Sequence, residues 1–256
     1  MLYPSPTPVS LSAFDIAILA CLIFASACLY STVGHAGASA YLAVMALYGL
    51  SPQIMKPTAL VLNILVATIA SAKFYQAGHF SWRLFWPFAL GSIPFAFLGG
   101  KIQIDATLYK RIVGAVLLFS ACRLFFFKES NSAASVKPPD KVIAVFCGVG
   151  IGFLSGIVGV GGGIFLSPLV LLLGWAGART TAAVSAMFIL VNSIAGISGH
   201  LAAVRSVPAA TWIWAGAAIV GGFAGSHVGS RLLERTVILR VLGVVLVIAG
   251  VKLIFV

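Results

Sequence analysis

Residues 141–173 read KVIAVFCGVGIGFLSGIVGVGGGIFLSPLVLLL. After Lys141 the run carries no charge, so a bilayer suits it better than water. It is too long for one ordinary span of roughly 20 residues. The cluster Val158-Gly159-Val160-Gly161-Gly162-Gly163 interrupts it. The piece beyond is about ten to thirteen residues of helix and reaches only about 15–20 Å, short of a hydrocarbon core about 30 Å thick. The pattern predicts a span, a backbone break and a half-helix, and a re-entrant segment is the simplest fit.

The pattern occurs twice. Residues 12–48 form a second over-long block, broken by Val33-Gly34-His35-Ala36-Gly37-Ala38-Ser39. Further apolar blocks at 57–78, 84–101, 108–127, 180–200, 209–231 and 236–256 make eight in all. The two halves align in order. Gly34 and Gly49 meet Gly159 and Gly174, and Asn63 meets Asn192. Trp82, Gly91, Gly99 and Lys101 meet Trp212, Gly221, Gly229 and Arg231. Such duplication is common in secondary transporters. Glycines 91, 99, 221, 225 and 229 share a helical face, where backbones can approach closely.

The expected fold is therefore an all-α integral membrane protein of two four-helix repeats. It has about eight transmembrane segments, and the first helix of each repeat is broken by a Gly-rich segment. A tail at 1–10 precedes the first repeat at 11–127, and a polar linker at 128–140 precedes the second repeat at 141–256. Eight full spans divide the 16 Lys and Arg residues equally between the two sides. If each broken block crosses twice, the division becomes uneven. That favours inverted repeats with the linker inside.

Composition agrees. Of 256 residues, 61% are hydrophobic and 8% charged, against about 25% charged in soluble domains. The net charge of +11 comes from basic residues scattered singly at the ends of apolar runs. No basic stripe suits nucleic acid, and lipid headgroups are the expected contacts. The four cysteines form no CxxC pair, so neither a disulfide nor a metal site is expected. No Gly-Lys-Ser/Thr comes after the Gly-rich runs, which excludes a Walker loop. No cofactor is expected.

The candidate substrate-binding residues lie at the breaks and in the spans after them. They are Gly34, His35, Ala36, Gly37 and Ser39, and Gly159, Gly161, Gly162 and Gly163. Irregular backbone at membrane depth is tolerated only where it is buried in protein or lines a cavity. A half-helix starting there aims free N–H groups and a positive dipole end inward, which suits an anion. The competing reading is that these glycines only permit close helix crossing. His35 suits an anion or a transported proton, or an interface hydrogen bond. Asn63 and Asn192 offer amide N–H groups, or bind helices together. Ser185 adds a hydroxyl to a path, or bonds back to its helix. No acidic residue lies mid-span, which favours anions over cations. It also removes the paired carboxylates and metal ligands that most intramembrane enzymes need.

The run Leu154-Ser155-Gly156-Ile157-Val158-Gly159-Val160-Gly161-Gly162-Gly163, with Pro168 and Leu169 after it, resembles the repeat signature of the TauE/SafE sulfite-exporter family. The segment from Ala178 to Asn192 resembles the stretch that comes after that signature in the family. The first half departs, with GHAGAS in place of the Gly-rich run and Lys56-Pro57-Thr58 ahead of the second span. The resemblance implies a duplicated helical transporter of the inner membrane, usually an exporter of sulfite or another sulfur-containing anion. Partners would be the lipid bilayer, a small anionic substrate and a coupling ion, proton or sodium. A homo-oligomer is compatible. A passive anion channel, and an enzyme or assembly factor of sulfur metabolism, are the alternatives.

Overall fold

A computed structural model describes residues 11–126, 139–200, 207–229 and 236–255. The expected tail, linker residues 128–138 and the match at Arg231 lie outside the described residues.

The eight apolar blocks resolve into ten helices among the described residues. They are α1 (Ala13–Ser31), α2 (Ala38–Leu47), α3 (Pro52–Gln76), α4 (Trp82–Lys101), α5 (Ala106–Phe126), α6 (Lys141–Val158), α7 (Gly163–Leu172), α8 (Ala178–Gly199), α9 (Ala210–Gly229) and α10 (Thr236–Phe255). By length and composition, α1, α3, α6 and α8 can each cross a membrane. Both over-long blocks break where the glycines predict, into α1 and α2 and into α6 and α7.

The three described acidic residues all serve helix N-termini. Ser12 and Asp15 form a capping box on α1. Asp140 accepts from the N–H groups of Val142 and Ile143 on α6. Asp105 accepts from Leu108 and Thr107 at the start of α5, and these N–H donors hold its carboxyl below the usual range. A carboxylate accepting the orphan donors of a first turn also opposes the positive dipole end.

Small residues set the packing. Helices α4 and α6 run side by side in the same direction. A Cβ on Gly148, Gly152 or Gly156 would lie 2.4, 2.3 or 2.2 Å from the carbonyl oxygens of Phe88, Ser92 and Ala96. Helices α1 and α9 run together in the same way. Gly221 and Gly225 press on the carbonyls of Phe24 and Cys28, and Trp214 Nε1 donates to Ile16 O at 3.3 Å. These are the glycine faces read from the sequence at 91, 99, 221 and 225. Only a residue without a side chain admits such backbone contact.

The directions fix what each break does. Helix α3 also runs along α9, with Thr58 beside Thr211 and Val66 beside Gly222. Helices α1 and α3 therefore point the same way, and α2 must turn back between them. Likewise α8 runs with α4, with Phe88 near Val184 and Gly100 against Gly196. Helix α6 shares that direction, so α7 turns back in its turn. Helices α3 and α8 meet antiparallel, with Phe74 and Ala70 near Ala183 and Ala186, and Leu60 near Gly196.

The α4–α6 contact yields a stability prediction. Gly152→Leu must drive a side chain into the Ser92 backbone, and overpacking of this kind typically costs about 1–3 kcal/mol or more. Thermal unfolding in detergent should show a large fall for Gly152→Leu. Gly150→Leu should leave the midpoint nearly unchanged, because nothing lies within 4 Å of its Cβ position.

Candidate site at the helix breaks

Both half-helices start in the protein interior on a left-handed glycine. The N-cap of α2 is Gly37 at φ 101°, and that of α7 is Gly162 at φ 81°. Neither has a side-chain cap. The first N–H groups of an α-helix have no intrahelical acceptor, so Gly163 and Ile164 present donors at the break. The far end of α2 is closed differently: Lys252 Nζ donates to Leu47 O at 2.8 Å. A cation there matches the negative end of the helix dipole.

The first break is filled by its own polar groups. Tyr41 donates to the Ala36 carbonyl, and its ring occupies the space beside Gly37. Ser39 Oγ donates to Tyr30 Oη at 2.8 Å. Gly34 lies so close to α8 that a Cβ would sit 2.3 Å from Ala182 O. His35 is buried and reaches the second break. Its Nδ1 lies 3.1 Å from Val33 O, and its Nε2 lies 3.1 Å from Gly163 O and 3.0 Å from Ser167 Oγ. Ser167 Oγ continues to Ser185 Oγ at 2.8 Å. A neutral imidazole has one N–H and can donate to one of the two carbonyls. The imidazolium donates to both.

The second break differs. Gly161 is left-handed at φ 78°. A Cβ built on it would lie 2.7 Å from Ile189 Cγ2, 2.9 Å from Ser193 Oγ and 3.2 Å from Asn63 Nδ2. Asn63 and Ser193 are fully buried. Neither Asn63 side-chain atom has a hydrogen-bond partner, and nor does Ser193 Oγ. Ser155, beside Gly162, is also buried with a partnerless hydroxyl. A buried polar group left unsatisfied typically costs about 1–3 kcal/mol. Several of them converge at one point, beside an uncapped helix N-terminus.

The other expected residues fall around this point. Gly163 abuts Ile189, and Ser185 belongs to the His35 chain. Gly159 packs on Lys56. Asn192 turns inward along its own helix: Nδ2 donates to Phe188 O at 2.8 Å, while Oδ1 is partnerless. Ser193, Ser155 and Ser167 escape a reading of the sequence, since a serine in an apolar helix carries no spacing signal. Two surface hollows, one between α1 and α9 and one between the ends of α4 and α8, lie away from the breaks. Among the described residues no cluster of His, Cys, Asp or Glu could hold a metal ion.

Apolar helices long enough to cross a membrane, two of them followed by an internal break, suit a membrane transporter, and the chain's relatives carry that name. The "probable membrane transporter protein y4hK" of Sinorhizobium fredii is 39% identical over 240 residues, 93% of this chain and 97% of its own length. The "probable membrane transporter protein MJ0441" of Methanocaldococcus jannaschii is 26% identical over 56% of this chain and 52% of its own. The "probable membrane transporter protein YunE" of Bacillus subtilis is 29% identical over 41% of this chain and 38% of its own. The model of the family described as sulfite exporter TauE/SafE matches residues 18–253, and the chain belongs to that family. No solved structure matches it.

Proposed function

We propose that this protein is a secondary transporter that exports a small sulfur-containing anion, such as sulfite or an organosulfonate, across the cell inner membrane. The observation that carries the reading is the convergence of Asn63 Nδ2, Ser193 Oγ and the uncapped N-terminus of α7 on Gly161. Buried amide, hydroxyl and backbone N–H donors suit an oxyanion. Asn63 also offers a carbonyl acceptor, which a protonated oxyanion such as bisulfite can use. The three described carboxylates all sit at helix N-termini, so none of them repels an anion there. The family's description supplies the substrate class.

Two five-helix units of opposite direction complete the proposal. The exchanged pairs α4 with α6 and α9 with α1 support it, as do the two reversals at the breaks. Alternating access would rock these units about the central site. His35 joins the breaks through Gly163 O, which supports a proton as coupling ion.

The test is sulfite efflux from liposomes holding the purified protein. Saturable efflux is expected, accelerated by an imposed pH gradient, and His35→Gln should lose that acceleration. Absence of sulfite or sulfonate movement under every imposed gradient contradicts the reading. A macroscopic, non-saturating current in planar bilayers would identify a channel instead.

A further inference from the structure

Lys56 is the one Lys, Arg, Asp or Glu side chain buried among the described residues, at 5% exposure. The sequence places it just ahead of the second span, whose apolar block begins at residue 57. Instead α3 begins at Pro52, in the first-turn position where a missing N–H costs nothing, and Pro57 lies inside it. Lys56 is thereby drawn into the protein. Its ammonium has three donors but only one hydrogen bond, a long one of 3.4 Å to Gly100 O. No carboxylate pairs with it among the described residues. An unpaired buried charge is costly and points to function when it persists in a membrane protein.

Its position supplies the function. Lys56 and Asn63 are seven residues apart, two helical turns on one face of α3, about 10 Å along the axis. The second break runs along that face. The Cβ position of Gly159 is 3.1 Å from Lys56 Cγ, and that of Gly161 is 3.2 Å from Asn63 Nδ2. The same stretch of irregular backbone thus links the unpaired cation to the unpaired amide. At the outer end, His200 comes directly after α8. Burial, and secondarily the Lys56 charge, push its imidazole below the ordinary histidine value. Neutral or cationic, an imidazole supplies no negative charge to offset Lys56.

We infer that Lys56 is a second anion-binding station, one that passes the substrate between the Asn63–Ser193–Gly161 site and the membrane side where α3 begins. This rests on the proposed transport of a small oxyanion. A strongly hydrated ammonium is a point-charge partner for an oxyanion. Its separation from Asn63 gives the substrate a stepping distance through the glycine break.

The experiment compares wild type, Lys56→Met, Lys56→Arg and Asn63→Ala in liposomes, with sulfite as substrate at low and high salt. Lys56→Met keeps the aliphatic stem against Gly159 and removes only the charge. Its thermal stability, read alongside, should match or exceed wild type. The expected result is a KM raised at least tenfold with maximal flux within a factor of two or three, a weaker salt dependence of KM, and recovery in Lys56→Arg. Asn63→Ala should lose maximal flux instead. Wild-type KM and salt dependence in Lys56→Met overturn the station while leaving sulfite transport intact. Equal loss in Lys56→Met and Lys56→Arg also overturns it, since the charge would then be immaterial. No sulfite flux in the wild type itself overturns both readings.

Discussion

Gly161→Ala is expected to reduce anion flux at least a hundredfold, although one methyl group is added. Two effects coincide at this residue. Its φ of 78° lies in the left-handed region, where an L-residue costs roughly 1–2 kcal/mol. The new methyl would also meet Ile189 at 2.7 Å, Ser193 Oγ at 2.9 Å and Asn63 Nδ2 at 3.2 Å. It would therefore occupy the point where the buried donors converge. A purely structural glycine would give a variant that unfolds readily and keeps substrate affinity in whatever fraction folds. A site glycine gives folded protein that no longer binds. Flux and sulfite affinity, normalised to folded protein by size-exclusion chromatography, separate these results. Gly174→Ala is a comparison with a similar backbone, since φ is 64° but nothing lies within 4 Å of its Cβ position. It should carry the backbone strain without the loss of flux.

Asn63→Leu should move stability and function in opposite directions. Asn63 is fully buried with both side-chain polar atoms unpartnered. An apolar side chain of similar size removes that desolvation cost, worth about 1–3 kcal/mol. The thermal midpoint without substrate should rise by several degrees, and anion flux should fall at least a hundredfold. Asn192→Leu is the informative contrast. Its amide already donates to Phe188 O within α8, so the stability gain should be smaller. If Asn63 were interhelical glue, Asn63→Leu would be less stable than wild type. Differential scanning fluorimetry and flux on the same preparations decide between these outcomes.

Much of the fold can be read in the sequence because a bilayer imposes a simple rule: long apolar runs become helices, and clustered glycines break them. Gly159 to Gly163 and Gly34 to Gly37 marked both breaks to within a residue or two. The glycines at 91, 99, 221 and 225 marked the helix faces that touch. What periodicity does not carry is which helices pair, since α4 meets α6 and α9 meets α1 across the length of the chain. The site was legible in part. Asn63 stood out because an amide in an apolar span needs a reason. Ser193 did not, because it comes right after Asn192 in a helix already rich in small polar residues. Lys56 was hidden because the apolar block begins at residue 57, six residues past the real cap at Ser51. The difference between the breaks, one filled by Tyr30, Ser39 and Tyr41 and the other lined by partnerless groups, depends on side-chain contacts between distant segments.

The central claim is that an oxyanion binds at the second break. Selenite, the heavier analogue of sulfite, can be located by its anomalous scattering in crystals of the protein. The account predicts one selenium peak at Gly161, within hydrogen-bonding reach of Asn63 Nδ2 and Ser193 Oγ, and its loss in Gly161→Ala. A peak confined to other parts of the protein, or one that persists unchanged in Gly161→Ala, would contradict it.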